Sequence, residues 1–270
     1  MLKQVQHDGP EGCLLSDLFR ENKMDNTKYI ALSRQMGLWK QMDVVSNNMA
    51  NMNTSGFKSS DVLFSSYIMN TKGGTEAGKL PVRFANDFAT FNNFEEGTLI
   101  ETGNTFDVSI QGDAFFAVET GAGERYTRKG QFHLDANGQL VNQNGQAIMS
   151  ENNEPFFFAP GEKEIVISDE GTISTENGII GRLKLVRFDD DKKLIKMGDT
   201  MFTNVADNGM HPVMNEAFVK QGVLEKSNVN SILEMTKMIN LQRSYEHVQH
   251  MIDAEHDRIS NVISTYAQLV

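Results

Sequence analysis

The densest group of potential metal ligands in the sequence is the stretch YEHVQHMIDAEHD, residues 245–257. It places His247 and His250 three residues apart, with Glu246 directly before the first histidine. The zinc-protease motif H-E-x-x-H needs histidines four residues apart and a glutamate after the first of them. The stretch matches neither that motif nor its inverse, so exposed polar positions on a helix are the simpler interpretation. A metal-dependent hydrolase that uses His247 and His250 is kept as the alternative hypothesis from another class.

No other segment has the residue types and spacing of a catalytic site. The three aspartates at residues 189–191 lie in a charged turn, where no apolar surroundings would raise a carboxyl pKa for acid–base catalysis. G-x-S-x-G, Walker and G-x-G-x-x-G sequences are absent. We therefore predict a protein that is not an enzyme and has no catalytic residue, no cofactor and no metal.

Charge and composition exclude several classes of partner. The chain of 270 residues has a formal net charge of −11, whereas binding to nucleic acid needs a clustered basic face. It contains no run of Lys and Arg for an anionic membrane surface and no transmembrane span. Its only cysteine is Cys13, so disulfides and thiolate metal sites are excluded from residue 14 onward. We expect no nucleic-acid partner, and we do not expect an integral membrane protein.

The elements that would position any site begin with a predicted N-terminal helix at residues 24–56. Apolar residues recur at spacings of four and three on one seam, and Leu32, Met36 and Trp39 form a neighbouring stripe. Gly56 is the expected helix stop, because a residue without Cβ tolerates the left-handed conformation. Residues 1–23 do not share this pattern, and we predict a disordered leader or a mis-assigned start, with Met24 as the true start.

Residues 57–220 are predicted to form a central β-rich domain with connecting segments. Short alternating or apolar runs are separated by turn signals, and Asn-Gly between such runs is a strong hairpin signal. The Asn-Gly pairs are Asn137-Gly138, Asn144-Gly145, Asn177-Gly178 and Asn208-Gly209. An antiparallel β domain follows from this pattern.

Residues 221–270 are predicted to hold a long C-terminal helix with Ser227 or Asn228 as its N-cap. Its apolar residues keep three- and four-residue spacings, which is the period of a coiled coil. About 40 helical residues span ~60 Å, more than the central domain can cover. The predicted fold class is therefore α+β, with the two terminal helices paired as an antiparallel coiled coil. The remaining apolar seams must meet other chains.

Three asparagines near the end of the first helix call for an explanation, because asparagine is a poor helix former. Asn47 and Asn51 lie one turn apart, with Asn48 beside them. If this face packs against other helices, the carboxamides can fix the register of the interface. The alternative is that they only cap the fraying helix end.

The stretch that contains these asparagines, MDVVSNNMANMNTSGFKSS at residues 42–60, resembles the N-terminal signature of bacterial flagellar rod and hook proteins. That signature is a helix that ends in N-N-x-A-N-x-N-T-x-G-[FY]-K. The resemblance continues, in the same order, through residues 102–120, 124–141, 181–189 and 221–246. It covers nearly all of the chain from about residue 27 onward.

The resemblance implies an axial structural subunit of the flagellum, whose terminal helices assemble into a tube while a β-rich domain faces outward. It implies a place in the basal-body rod, which spans the periplasm, and function in flagellum-dependent motility. The implied partners are other rod subunits, the chain itself and the flagellar type III export apparatus, with export that needs no cleaved signal peptide. Residues 59–70, SSDVLFSSYIMN, depart from the pattern of distal-rod members, which favours a proximal-rod subunit and leaves a distal-rod subunit as the alternative.

We predict that the helix seams and the asparagine face form the subunit interface. The predicted interface residues are Leu38, Met42, Val45, Asn47, Asn48, Met49, Asn51, Met238, Leu241, Tyr245, Val248 and Ile252.

Overall fold

The computed structural model describes residues 11–69, 82–162, 164–204, 210–212 and 217–268. In this part of the chain, helix α1 spans Glu11–Ala50 and helix α2 spans Ser231–Ala267. The region between them is rich in β-strands. The two long helices and the β-rich middle region are thus confirmed, and the fold is of the α+β class.

Seventeen strands are described between the helices, most of them short. They are β1 (Ser60–Met69), β2 (Val82–Asn92), β3 (Leu99–Glu101), β4 (Val108–Gln111), β5 (Phe115–Thr120), β6 (Gly123–Thr127), β7 (Phe132–Leu134), β8 (Leu140–Asn142), β9 (Val166–Ile167), β10 (Thr172–Thr175), β11 (Gly178–Arg182), β12 (Leu185–Phe188), β13 (Ile195–Lys196), β14 (Met201–Thr203), β15 (Met210–Pro212), β16 (Phe218–Gln221) and β17 (Val223–Glu225). A short 3-10 helix, Asp191–Lys193, lies in the predicted charged turn.

The largest sheet of the described residues has six strands in the order β13-β14-β6-β5-β12-β15. A three-stranded sheet has the order β11-β10-β9, and four two-stranded sheets pair β1 with β2, β16 with β4, β17 with β3 and β7 with β8. Every pairing for which the register is defined is antiparallel, as the sequence predicted.

Strand β5 lies between two hydrophobic cores. Successive side chains of a strand point to opposite faces, and in β5 both faces are buried. Phe116 and Val118 belong to one core cluster, while Phe115 and Ala117 belong to the other. The residues AFFAV, 114–118, form a continuous apolar run, which is typical of a strand covered on both sides.

Asn-Gly turns close hairpins as predicted at two positions. Asn137-Gly138 lies between β7 and β8, and Asn177-Gly178 lies at the start of β11, which pairs with β10. Gly138 has φ +78°, and a Cβ built there would lie 2.3 Å from the carbonyl oxygen of Phe158, so only glycine fits. A third pair, at residues 144–145, separates the bridged residues Val141 and Ala147. Asn208-Gly209 lies outside the described residues.

The helix boundaries differ from those predicted. Helix α1 begins at Glu11, before the predicted boundary at Met24, and ends at Ala50 rather than near Gly56. Helix α2 begins at Ser231, and Asn230 is its N-cap: the Asn230 Oδ1 accepts from the backbone N–H groups of the second and third helical residues at 3.1 and 3.2 Å. Ser227 and Asn228 precede this cap, so the predicted N-cap was placed too early. Several good capping residues lie in a row here, and the sequence alone did not distinguish them.

The chain divides into two compact units. Unit 1 comprises Met1–Asp43, Val62–Ala89 and Met238–Val270, and unit 2 comprises Val44–Asp61 and Thr90–Lys237. Most of β1 and most of β2 group with residues of the helices in unit 1. The domain boundaries at residues 24–56, 57–220 and 221–270 stay a prediction. Among the described residues, no helix is both long and apolar enough to cross a membrane.

Candidate subunit interface

Asn48 is the buried member of the asparagine group, with 2% of its surface exposed. Its side-chain amide makes two hydrogen bonds with the backbone of Ser60, one as donor and one as acceptor. The Asn48 Nδ2 donates to the Ser60 carbonyl at 2.9 Å, and the Asn48 Oδ1 accepts from the Ser60 N–H at 3.0 Å. Nδ2 also donates to the Glu234 carboxylate at 3.2 Å, which links the end of α1 to the first turn of α2. Asn48 therefore makes its hydrogen bonds within its own chain.

Asn47 and Asn51 behave differently from Asn48. The Asn47 side chain is exposed, and that of Asn51 is half-buried. Asn51 donates from Nδ2 to the Asn47 carbonyl at 2.9 Å and accepts from the Thr54 hydroxyl at 3.2 Å. These bonds satisfy polar groups at the C-terminal end of α1. The capping alternative therefore describes Asn51. The three asparagines do not share one environment, because Asn47 is exposed, Asn48 is buried and Asn51 is half-buried.

Contrary to the prediction, Gly56 does not end helix α1. It allows the backbone to pass close to the backbone of Lys129. It lies six residues after the last residue of α1 and has φ +66°. Its N–H donates to the Glu225 carbonyl at 2.8 Å. A Cβ at this position would lie 2.5 Å from the backbone nitrogen of Lys129. Glycine is required by both the positive φ and the lack of space.

A buried ion cluster of Lys58, Glu225 and Arg128 follows in the same region. The Lys58 Nζ lies 2.7 Å from the Glu225 Oε1, and both side chains are at most 1% exposed. Lys58 also donates to the carbonyls of Phe94 and Glu95, at 3.2 and 2.6 Å, so all three ammonium protons have acceptors. Burial lowers the pKa of Lys58, and the Glu225 carboxylate opposes that shift.

Arg128 completes the ion cluster at a longer distance. Its Nη1 lies 3.9 Å from the Glu225 Oε2, and its guanidinium carbon lies 5.0 Å from the centre of the Phe115 ring. Burial lowers the pKa of Arg128, and the charge of Glu225 opposes this. One carboxylate thus compensates two buried cations, which makes Glu225 the residue on which the cluster depends.

Lys196 lies in strand β13 and contacts the signature residues Phe57, Lys58 and Ser60. Its Nζ lies 3.6 Å from the centre of the Phe57 ring and donates to the Lys58 carbonyl at 3.1 Å and the Ser60 hydroxyl at 3.4 Å. Burial lowers the pKa of Lys196 to about 8. The sequence did not predict the roles of Lys58, Lys196 and Glu225, because the three residues are far apart in the chain. The lysine at the end of the signature was the only available signal.

The predicted helix seam is covered to different degrees within the chain. Val45 and Val248 are buried. The other apolar members are half-buried: Leu38, Met42, Met49, Met238, Leu241, Tyr245 and Ile252. The two helices are in close contact, and the Gln35 Nε2 donates to the Gln249 Oε1 at 2.8 Å. The role of the seam residues between subunits stays a prediction.

Two other apolar faces of the helices remain exposed. The outer stripe on α1 consists of Tyr29, Leu32, Met36 and Trp39, which are 63%, 50%, 60% and 59% exposed. The outer face on α2 consists of Ile232, Met235 and Ile239, which are 74%, 49% and 51% exposed. Apolar residues that recur at three- and four-residue spacing lie on one side of a helix. Exposed apolar surface organised in this way marks an interaction site.

His247 and His250 are both exposed on α2. In the described parts of the chain, no three or more His, Cys, Asp or Glu side chains come together in a way that could hold a metal ion. The geometry that the hydrolase alternative requires is therefore not found there.

Three family models match the chain in the order of its elements. The model described as flagella basal body rod protein matches residues 29–58, which include the outer stripe and the asparagines. The model for the flagellar hook protein FlgE/F/G D1 domain matches residues 109–175 of the β-rich region. The model for the flagellar basal body rod FlgEFG protein C-terminal region matches residues 220–265, which contain most of α2.

Curated relatives match over most of the chain. The flagellar basal-body rod protein FlgF of Caulobacter vibrioides is 38% identical over 230 residues, which are 85% of this chain and 93% of the relative. FlgF of Mesorhizobium japonicum is 33% identical over 83% of this chain and 90% of its own length. FlgG of Bacillus subtilis is 28% identical over 87% of this chain and 97% of its own length.

The signature, the order of the elements and these relatives together define the class: the chain belongs to the flagellar basal-body rod protein family. Within that family it is most like the members named FlgF, and FlgG is the alternative. It is a structural subunit of the rod and not an enzyme, it resides in the flagellar basal body, and other rod subunits are its partners.

Proposed function

We propose that the chain is a proximal-rod subunit that assembles with other rod subunits and with itself through its two terminal helices. The observation that carries this proposal is the apolar surface that the helices leave exposed, because a monomer rarely keeps apolar residues in a regular stripe on its surface. The similarity to FlgF relatives and the departure of residues 59–70 from the distal-rod pattern support the proximal position. A distal-rod subunit is the alternative.

The helices would pair as an antiparallel coiled coil through the predicted seam. Each compact unit contributes one supporting hydrogen bond, from Asn48 to Glu234 in unit 2 and from Gln35 to Gln249 in unit 1. The bonded residues follow opposite orders along the two helices. The separations of 13 residues on α1 and 15 on α2 correspond to ~20 and ~22 Å of helix, which are nearly equal.

We further propose that the chain reaches the rod through the flagellar type III export apparatus without cleavage of a signal peptide. Residues 24–56 and 221–270 would supply the helical core of the rod, with residues 57–220 carried outside it. Residues 1–23 would take no part in this core. The seam residues would determine how the helices pack. Asn47 would make the contacts at the exposed side of the asparagine group.

Replacing Met49 and Tyr245 with Asp tests the assembly role in cells. A carboxylate in a half-buried seam opposes helix packing, because burying an unpaired charge is costly. Secretion of the variant into the medium should persist, while basal bodies isolated from the cells lack a complete rod and swimming in soft agar is lost. Ser46→Asp, at an exposed position on α1, serves as the matched control and should swim normally. Normal swimming of the double variant would contradict the role of the seam.

A further inference from the structure

We propose that a cavity in the β-rich region binds a loop of a partner protein through one basic side chain and a backbone carbonyl beside it. The cavity has a volume of about 380 Å³ and lies within unit 2. Three aspartates, two arginines and two phenylalanines line it. The inference does not depend on the proposed function, because neither terminal helix contributes a residue to this lining.

The cavity lies at one end of three neighbouring strands in the six-stranded sheet. Strand β5 lies between β6 and β12 and is antiparallel to both. The start of β5 is therefore next to the ends of β6 and β12. Phe115 begins β5, Arg128 directly follows β6, and Phe188 ends β12. Strand pairing thus brings together side chains that are far apart in the sequence.

Arg128 is a buried polar residue of the cavity lining, with 2% of its surface exposed. Among the described residues, its Nε and Nη1 have no hydrogen-bond partner. The 3.9 Å between Nη1 and the Glu225 Oε2 is too long for a hydrogen bond. Native structures leave few buried donors without an acceptor, because such donors lose their bonds to water on burial. An oxygen atom of a ligand in the cavity would supply the missing acceptor.

The charges around Arg128 favour a neutral oxygen as that acceptor. Burial lowers the pKa of Arg128, and the charges of Glu225 and Asp113 oppose this shift, so both carboxylates act on the guanidinium. A ligand carboxylate in the cavity would be repelled by these two groups. A backbone carbonyl accepts the same hydrogen bond without carrying a charge.

Asp113 provides the second contact for the ligand. Its side chain is exposed, and the aspartates of the lining outnumber the arginines, so the cavity attracts a cation. Arg187, Asp189 and Asp191 take part in interactions of their own within the chain. We therefore assign the cation of the ligand to Asp113.

A lysine or arginine in a loop carries every feature that the cavity requires. Its charged head group ends a methylene stem, which can pack against the rings of Phe115 and Phe188, whose centroids lie 5.8 Å apart. Carbonyl groups flank the residue, and in a loop they are not all used by the hydrogen bonds of a helix or sheet. The volume is near the lower end of the range for ligand pockets, which suits one side chain with its peptide groups.

Three small probes separate the two contacts in the full chain. Nα-acetyl-lysine amide has an ammonium and two carbonyls, n-butylammonium has only the ammonium, and Nα-acetyl-norleucine amide has only the carbonyls. In protein labelled with nitrogen-15, the lysine probe should shift the Nε–H resonance of Arg128 and the backbone resonance of Asp113. We expect a dissociation constant in the millimolar range for a single residue. Binding of n-butylammonium should be about tenfold weaker, because it offers Arg128 no acceptor.

Two variants assign the contacts to their residues. Asp113→Asn should weaken binding of the lysine probe about threefold, as expected for an exposed charge pair, and leave binding of the norleucine probe unchanged. Glu119→Gln removes an exposed charge near the other end of β5 and is the matched control, with wild-type binding expected. Arg128→Lys keeps the buried charge without the fork of donors, and should remove the advantage of the lysine probe over n-butylammonium. If circular dichroism shows that Arg128→Lys does not fold, the three probes on the wild-type chain still decide.

Several results would overturn the inference. They are an Arg128 resonance that no probe shifts, equal affinities for the lysine probe and either of the other two, or equal weakening by Asp113→Asn and Glu119→Gln. A larger shift with inorganic phosphate would make the cavity an anion site instead. A larger shift with Mg²⁺ would make it a metal site.

Discussion

The terminal helices and the β-rich region bury their apolar side chains to very different extents. In the β-rich region, strand β5 fills two cores, and phenylalanines such as Phe116 and Phe202 are fully buried. On the helices, Val45 and Val248 are buried, while Trp39 and Ile232 remain largely exposed. The first region satisfies its apolar residues within one chain. The second leaves apolar side chains exposed, and the proposed function assigns them to contacts with neighbouring subunits.

The largest expected loss of stability comes from changing the buried ion cluster. This change tests whether the β-rich region, unlike the helices, is stabilised by contacts within one chain. Glu225→Ala leaves the ammonium of Lys58 buried and unpaired, and breaking a buried ion pair costs about 3–5 kcal/mol. We expect a loss of that size in the free energy of unfolding measured in urea. Glu101→Ala removes the partner of an exposed pair with Lys220 and should cost about 1 kcal/mol or less. Similar losses for both variants would contradict the buried role of Glu225.

The asparagine group allows a sharper comparison between adjacent positions. Asn48→Ala removes the two hydrogen bonds to Ser60 and the bond to Glu234, and leaves buried polar groups unsatisfied, which costs about 2–3 kcal/mol. Asn47→Ala alters an exposed side chain and should change stability by about 0.5 kcal/mol or less. Urea unfolding of both variants measures the difference. Equal losses of stability in the two variants would contradict this difference and would indicate that the asparagines act as a single face.

Limited trypsin digestion tests whether the helices depend on neighbours. Regions with few buried apolar contacts open more readily than a packed core. In the monomer, we expect cleavage after Arg34 and Lys40 on α1 and after Arg243 on α2, while the β-rich region survives as a resistant fragment. The same sites should be protected at least several-fold in assembled material. Helices that resist trypsin in a dilute monomer would remove the contrast between the two regions.

The smallest expected effect concerns Lys196 and pH. Its pKa is lowered from 10.5 to about 8, so between these values the folded chain binds fewer protons than the unfolded chain. The free energy of unfolding should therefore rise as pH increases from 8 to 10, by about 1 kcal/mol or less because the half-buried ammonium is partly screened by solvent. Lys196→Met should reduce the rise. Some rise should remain, since burial also lowers the pKa of Lys58. An unchanged slope in the variant would contradict the assignment.

Local patterns in the sequence predicted much of the fold. The Asn-Gly pairs at residues 137–138 and 177–178 predicted hairpins, because turn chemistry acts over a few residues. The apolar spacing predicted both helices and the stripe that includes Trp39. The predicted N-cap of α2 and the predicted end of α1 at Gly56 were wrong, because several neighbouring residues could have capped or ended a helix. The pairs Lys58–Glu225 and Asn48–Glu234 join residues that are far apart in the chain, and no local pattern indicates which distant partner a buried polar group has.

The position of β5 between two cores limits how this protein can change. In a strand, moving by a single residue exchanges the sides to which alternate side chains point. Inserting or deleting one amino acid within Phe115–Thr120 would turn the strand residues on one side of the change toward the opposite cluster, so the packing of both clusters would be disrupted. Length variation among descendants of this chain should therefore accumulate in surface turns such as residues 121–122, and not in this strand.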